Sequence, residues 1–80
     1  MRVTKQNLDA RVAWINDALG LGEYEAGSIV LDHSNGGVRV ERVCDGGGRT
    51  DISPRGTKRE ALAYLDMLLS GIRIAQGFRK

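Results

Sequence analysis

The chain has 80 residues, of which 41% are hydrophobic and 28% charged, and its formal net charge is +2. This composition excludes intrinsic disorder and is typical of one globular domain, residues 1–80. No apolar run approaches the roughly 20 residues needed to span a bilayer and no signal peptide is recognisable, so we expect a soluble, cytoplasmic protein. Cys44 is the only cysteine, which excludes an internal disulfide and any CxxC metal or redox site.

The first predicted element is an amphipathic helix over Lys5–Leu19. Its apolar residues recur at spacings of four, three and four, so they share one helical face. Thr4 is the expected N-cap, and Gly20 is typical of the residue that ends a helix. Residues 21–27 follow as a predicted loop.

Asn35-Gly36 predicts a β-hairpin, because both residues tolerate the positive φ angles of a two-residue turn. A turn centred on this pair places Asp32 opposite Arg39, which is attractive. A turn centred one residue later places Asp32 opposite Glu41, which is repulsive. We therefore predict the first register, with a first strand over residues 28–33.

The predicted register also sets His33 opposite Val38 and Leu31 opposite Val40. Further along the second strand the alternation of apolar and polar residues breaks, since Arg42 falls in phase with the two valines. We predict a bulge or an exit from the sheet near Arg42.

The second half of the chain predicts one strand and one long helix. Residues 45–48, Asp-Gly-Gly-Gly, predict a turn into a short third strand over residues 49–53, at an edge of the sheet. Thr57 and Glu60 form a capping-box pattern, so the last helix should begin after Thr57. The predicted fold is α+β with the order α-β-β-β-α, a three-stranded antiparallel meander packed by two helices on one face.

Catalytic chemistry finds little support in the residue types present. His33 and Cys44 fall roughly 20 Å apart in the predicted hairpin at about 3.3 Å per residue, too far for a nucleophile and its base. Glu23 and Glu25 lie in a polar loop without the apolar surroundings that acid–base catalysis needs. The chain also lacks the ligands for a zinc site and any phosphate-binding loop. We therefore predict a binding protein, not an enzyme, with no cofactor and no metal.

A second apolar patch is predicted on the last helix. Met67, Ile74 and Phe78 fall outside its main apolar arc. A domain of this size buries roughly 60% of its unfolded surface, so a dimer or a partner would add stability. Two interpretations stay open: local packing of the final turn, and a surface for a homodimer or partner.

Three basic residues, Arg55, Lys58 and Arg59, crowd the start of the last helix, where the macrodipole disfavours cations. In its element order and in Thr57-Lys-Arg-Glu-Ala61, the chain resembles double-stranded-RNA-binding domains, whose second helix carries basic residues followed by Glu-Ala. The resemblance implies phosphate contacts from Lys58 and Arg59, with Arg55 nearby. Binding of RNA or DNA is therefore one function hypothesis.

An acidic end of the molecule is predicted, because residues 12–38 contain no lysine or arginine. The candidate acidic residues are Asp17, Glu23, Glu25 and Asp32.

Four stretches resemble small αβββα proteins that phages and prophages encode: residues 4–12, residues 36–40, residues 46–48 and Pro54-Arg-Gly-Thr-Lys-Arg-Glu60. The resemblance implies an accessory protein that acts stoichiometrically on a host complex, and anti-CRISPR inhibitors are one class of this kind. Such inhibitors commonly cover a positively charged DNA channel with acidic surface, for which the four acidic residues are the candidates. The leading hypothesis is inhibition of a host protein complex such as a CRISPR effector, in the bacterial cytoplasm. Nucleic-acid binding is the alternative.

Overall fold

The computed structural model describes residues 2–77, except for the side chain of Asn35. Five elements follow one another in the predicted α-β-β-β-α order. They are α1 (Lys5–Leu19), β1 (Ile29–Asp32), β2 (Arg39–Val43), β3 (Arg49–Asp51) and α2 (Lys58–Gly77). The strands form one antiparallel sheet in the order β1-β2-β3, so the α+β class and the meander are confirmed.

Both helices begin at reciprocal capping boxes. Thr4 Oγ1 accepts a hydrogen bond from the Asn7 N–H at 3.2 Å, and Asn7 Oδ1 accepts one from the Thr4 N–H at 2.9 Å. Thr57 and Glu60 make the same pair of bonds at 3.1 and 3.0 Å. α1 ends at Gly20, whose φ is 73°. These caps satisfy backbone groups that a helix leaves unpaired, which is why the local sequence predicted both helix starts.

The pairing of β1 with β2 is the predicted one. Asp32 lies opposite Arg39, and the same register continues without interruption to Arg42 opposite Ile29. β2 leaves the sheet one residue later, after Val43. Of the two predicted alternatives, the bulge at Arg42 is therefore wrong and the exit from the sheet near Arg42 is confirmed. The arginine shares the face of the core valines, but it lies near the strand end, where its side chain is exposed.

The turn between these strands is not the predicted two-residue turn. A 3-10 turn covers Ser34–Gly36, and Val38 bridges to Gly56 instead of pairing with His33. The carboxylate of Asp32 stabilises this turn by accepting hydrogen bonds from the Ser34 N–H and hydroxyl, at 3.0 and 2.8 Å. The predicted His33–Val38 pair is therefore wrong, although the register on which it was built is right.

The third strand is shorter than predicted and contains the irregularity of the sheet. Its ladder ends at Asp51, and the N–H groups of Ile52 and Ser53 both donate to the Val40 carbonyl, at 2.8 and 3.2 Å. Two residues thus oppose one, which is the pattern of a β-bulge.

Both helices pack on one face of the sheet. The buried apolar core comprises Leu8, Ile15, Ile29, Val38, Val40, Ala61, Leu65 and Leu69. α1 and α2 run parallel, since Arg11 meets Asp66 at 2.7 Å and, further along both helices, Gln76 donates to the Ala18 carbonyl at 2.7 Å. Within residues 2–77, neither helix is long and apolar enough to cross a membrane. This arrangement leaves α1 beside the edge of β1, where the candidate site lies.

Candidate partner-binding face

Asp17 and Glu23, two of the predicted acidic residues, line the same cavity of about 710 Å³ between α1 and the edge of β1. Asp9, which the sequence analysis did not single out, lines this cavity as well. Asp9 and Asp17 are eight residues apart, about two helical turns, so they project from the same side of α1. The fold therefore gathers three carboxylates around one concave surface.

Two exposed aromatic residues belong to the same region. Trp14 is 51% exposed and Tyr24 is 61% exposed. Trp14 and Asp17 line a second cavity of about 270 Å³ beside α2, and the Arg11 guanidinium lies 4.7 Å from the centroid of the Trp14 ring. We call the surface formed by Asp9, Trp14, Asp17, Glu23 and Tyr24 the acidic face.

The backbone of Tyr24 is unusual. Its φ is 61°, and no other residue besides glycine in the described part of the chain has a positive φ. Such a conformation is uncommon outside glycine, and it is often stored at functional sites. Tyr24 also lines the larger cavity.

A buried asparagine holds α1 against β1. Asn16 is 8% exposed, and its side-chain amide bonds both backbone groups of Ile29: Nδ2 donates to the carbonyl at 3.0 Å, and Oδ1 accepts from the N–H at 2.7 Å. An amide can satisfy both groups at once because it carries a donor and an acceptor side by side. Asn16 was not among the predicted site residues, and its place among the apolar positions of α1 was the available signal.

Asp17 occupies an electrostatically unfavourable position. It lies in the last turn of α1, where the negative end of the helix macrodipole disfavours a carboxylate by a few tenths of a kcal/mol. The last turn contains no basic residue to offset this. In the described part of the chain, Asp17 forms no ion pair.

The other two predicted acidic residues lie elsewhere. Glu25 accepts a hydrogen bond from the Gly22 N–H at 2.9 Å and so stabilises its own loop. Asp32 lies at the far end of β1, and hydrogen bonds from Ser34, together with the Arg55 guanidinium, hold the pKa of its carboxyl well below the usual range. The four acidic residues therefore do not form one surface.

Arg55, the first of the predicted phosphate contacts, is engaged inside the protein. Its guanidinium bonds Asp32 Oδ2 at 2.6 Å and donates to the carbonyls of Asp32, Ser34 and Gly37. Its side chain is only 21% exposed. We call this set of bonds the Arg55 clasp; it joins the β1–β2 turn to the segment before α2.

Lys58 and Arg59, the other two predicted phosphate contacts, lie in the first turn of α2, and both residues are exposed. The positive end of the α2 macrodipole is close to them, so neither position favours a cation electrostatically. The structure therefore separates the three basic residues into one that is bound internally and two on the surface.

The predicted apolar patch on α2 is exposed where it can be described. Met67 is 74% exposed and Ile74 is 62% exposed, while Phe78 lies outside the described residues. Tyr64, at 40% exposure, continues the same stripe one turn earlier. Local packing of this patch is therefore not found for Met67 or Ile74.

An ion-pair network covers the sheet face opposite the helices. Glu41 is only 4% exposed, and Arg39 and Arg49 bind its carboxylate at 2.9 and 3.4 Å. Arg39 also reaches Asp51 at 3.2 Å. Because Arg39 and Glu41 are two residues apart on one strand, they project from the same sheet face, a signal that the sequence analysis did not use.

Three other observations bear on function. Within residues 2–77, no three His, Cys, Asp or Glu side chains are grouped so that they could hold a metal ion. His33 and Cys44 follow opposite ends of the β1–β2 hairpin. No protein-family model, curated protein or solved structure matches the chain.

Proposed function

We propose that this chain is a small phage-type protein that inhibits a host defence complex, in the manner of an anti-CRISPR protein. It would bind stoichiometrically to a basic surface of the complex in the bacterial cytoplasm and so block nucleic-acid binding there. The observation that carries the proposal is the acidic face, where three carboxylates and the exposed Tyr24 line one cavity and the exposed Trp14 lines a second cavity with Asp17.

The chemistry of the acidic face fits a basic protein partner. Carboxylates placed around a concave surface attract lysine and arginine side chains and speed the encounter with a basic surface. Tryptophan and tyrosine contribute disproportionately to binding at protein interfaces, and both Trp14 and Tyr24 are half exposed or more. A nucleic-acid-binding channel is lined by such basic groups, because it must hold phosphates.

The position of Asp17 supports the same conclusion. A carboxylate in the last turn of a helix, without a cation beside it, costs stability. Such a cost is expected where a residue contributes to binding, since many natural proteins give up stability at functional sites.

The test uses purified CRISPR effector–guide complexes of several types. Each is mixed with one equivalent of the chain, and binding of a labelled target DNA is measured. We expect at least one complex to lose DNA binding near a 1:1 ratio. We expect the Asp17→Lys variant to restore DNA binding to that complex, because the substitution places a cation on the acidic face.

Asp45→Lys is the matched control, since it makes the same change of charge at an exposed position in the β2–β3 turn, away from both cavities. It should inhibit as the unmodified chain does. The proposal is wrong if no complex is inhibited, or if the Asp17→Lys variant inhibits as strongly as the control.

The second candidate function is RNA or DNA binding through the start of α2. It is favoured by the exposure of Lys58 and Arg59 at a helix N-terminus, where backbone N–H groups can also bind phosphate. It is weakened by the Arg55 clasp, which engages the third basic residue. A gel shift at low salt tests it: Lys58→Ala should weaken binding and Lys5→Ala, in the first turn of α1, should not. No shift at micromolar protein would exclude this function.

Self-association is a separate proposal that rests on the exposed stripe of α2. Met67 and Ile74 would pack against a second copy of the chain. Light scattering after size-exclusion chromatography should then report the mass of two chains, and Met67→Lys should return it to that of one. The mass of one chain for the unmodified protein would contradict the dimer.

A further inference from the structure

We propose that the larger cavity is the docking site of an extended, basic peptide segment of the partner, which pairs with the free edge of β1 at Leu31. The proposal rests on the proposed function and makes it more specific, because it names the backbone contact and the shape of the partner segment. It depends on three features: an open strand edge, a groove beside it, and the charge of that groove.

The open edge follows from the hydrogen bonds of the strands. β1 is at one edge of the sheet, and the backbone groups of Ile29 point away from β2, since both bond Asn16 in α1. The direction of these groups alternates along an antiparallel strand, so those of Leu31 also point away from β2.

The residue opposite Leu31 confirms this direction. The Val40 carbonyl accepts a hydrogen bond from the Ile52 N–H at 2.8 Å, and the Val40 N–H donates to the Ser53 hydroxyl at 3.0 Å, both on the β3 side. Val40 therefore has no backbone group left for Leu31. Among the described residues, no loop or side-chain group bonds the N–H or carbonyl of Leu31, which leaves one donor and one acceptor open at the sheet edge.

The groove beside this edge has one apolar wall and two ends of different charge. Val12 and Ala13 of α1 line it together with Leu31. Asp17 and Glu23 lie near the start of β1, beside the Asn16–Ile29 contact, while Lys5 and His33 line the end beyond Asp32, with Asp9 one helical turn after Lys5. The cavity of about 710 Å³ has room for several side chains of a bound segment.

These features select the occupant. An extended backbone can bond the open pair of Leu31 with its own N–H and carbonyl, whereas a helix uses its backbone groups internally. The carboxylates at one end select lysine or arginine in the segment, and the apolar wall selects an aliphatic residue beside it. Asn16 already covers Ile29, so pairing is restricted to a short stretch around Leu31.

The experiment uses a display library of random linear 12-residue peptides, selected on the full chain. We expect enrichment of sequences in which basic and aliphatic residues alternate. The best peptide is then synthesised, and its affinity is measured for the chain and for a semisynthetic chain in which the Leu31 amide is replaced by an ester. The ester removes the outward N–H, so affinity should fall roughly tenfold, as the loss of one hydrogen bond predicts. It also makes the Val30 carbonyl, which faces Glu41 in the β1–β2 ladder, a weaker acceptor, so the control must carry the same change.

The control is the same ester at Asp51. Its N–H also faces away from β2, since the neighbouring Ile52 N–H faces the Val40 carbonyl, but it lies at the opposite edge of the sheet. It should leave peptide affinity unchanged. On binding, the Leu31 amide signal in a ¹⁵N correlation spectrum should shift and its hydrogen exchange should slow.

The proposal is overturned if no peptide is enriched. It is also overturned if the chain with the ester at Leu31 and the chain with the ester at Asp51 bind the selected peptide equally. The effector assay distinguishes this from failure of the proposed function. If the Leu31 ester inhibits an effector as well as the unmodified chain does, inhibition stands and strand pairing is wrong. If no effector is inhibited but a basic peptide still requires the Leu31 N–H, the peptide site stands and the inhibitor function is wrong.

Discussion

Asp32 and Asp17 are both carboxylates in a stretch that contains no lysine or arginine, yet the fold surrounds them differently. Asp32 accepts hydrogen bonds from Ser34 and forms ion pairs with Arg39 and Arg55. Asp17 is exposed, lines two cavities and has no ion-pair partner within residues 2–77. The Arg55 clasp therefore belongs to the framework of the protein, while the acidic face is free to bind something else.

The largest expected effect is in the Arg55 clasp. Arg55→Ala removes charge-assisted hydrogen bonds to three main-chain carbonyls, so the free energy of unfolding should fall by about 2 kcal/mol. Denaturant unfolding measures this. Arg73→Ala, on the exposed side of α2, should change it by less than about 0.5 kcal/mol. Equal effects of the two substitutions would remove the distinction between the regions.

The next largest loss of stability is expected at Gly37, which lies close to the Arg55 clasp. A Cβ at Gly37 would lie 2.7 Å from Arg55 Cγ and 3.1 Å from the Gly56 carbonyl. Gly37→Ala should therefore lower the free energy of unfolding by about 1–2 kcal/mol. Gly48→Ala is the control, because its φ of −71° suits alanine and no atom lies within 4 Å of the added carbon. A Gly37→Ala variant as stable as the control would mean that Arg55 moves aside readily.

Substitutions at two adjacent residues of α1 should change the free energy of unfolding by very different amounts. Asn16→Ala leaves the two outward backbone groups of Ile29 without their partner, so the free energy of unfolding should fall by about 1.5 kcal/mol. Asp17→Ala should change it by less than about 0.5 kcal/mol. Thermal and denaturant unfolding of both variants check this, and a larger loss for Asp17→Ala would assign it to the framework.

Acid should destabilise the folded chain through the carboxyl of Asp32, which belongs to the Arg55 clasp. The pKa of the Asp32 carboxyl is lower in the folded chain than in the unfolded one, because Ser34 and Arg55 bond its charged form. The stability that this group contributes is therefore complete above pH of about 4 and is lost as the pH falls further, through the folded pKa. The pKa of Glu60 is lowered in the same direction by the Thr57 N–H and hydroxyl. Unfolding between pH 7 and pH 2 should be less pH-dependent for Asp32→Asn than for the unmodified chain; an unchanged profile would contradict this.

The smallest expected effect is at Asp17. Asp17→Lys replaces an unfavourable charge in the last turn of α1 by a favourable one, so it should stabilise the chain by a few tenths of a kcal/mol. Circular dichroism during thermal unfolding measures this. A stable variant that no longer inhibits would assign Asp17 to binding alone, and a destabilised one would contradict its exposed, unpaired position.

Sequence reasoning succeeded where the cause is local. The predicted N-cap at Thr4 and the predicted capping box at Thr57 both depend on bonds between residues three positions apart, and both helix starts follow from them. The register of the first hairpin followed from one attractive pair, Asp32 with Arg39. Short-range patterns of polarity and charge predict helix starts and the register of a hairpin, because the residues involved are close together in the chain.

The features that were missed depend on residues far apart in the chain. The β1–β2 turn is held by the local bonds of Ser34 to Asp32 and also by Arg55, which lies more than twenty positions after Asp32 and is not visible to any local rule. Asn16 becomes a partner of Ile29 only when α1 lies against β1. The acidic residues were grouped by their position in the sequence, but only Asp17 and Glu23 share a cavity.

The Arg55 clasp also implies a conflict between local and global preference. Asn35-Gly36 favours a two-residue turn, and the whole chain adopts a different one. A synthetic fragment of residues 28–43 lacks Arg55, and we expect it to sample the tighter turn with the same strand register. The hairpin and the last helix should therefore reach their final conformations together, so that folding of the loop is cooperative with docking of a segment made much later in synthesis.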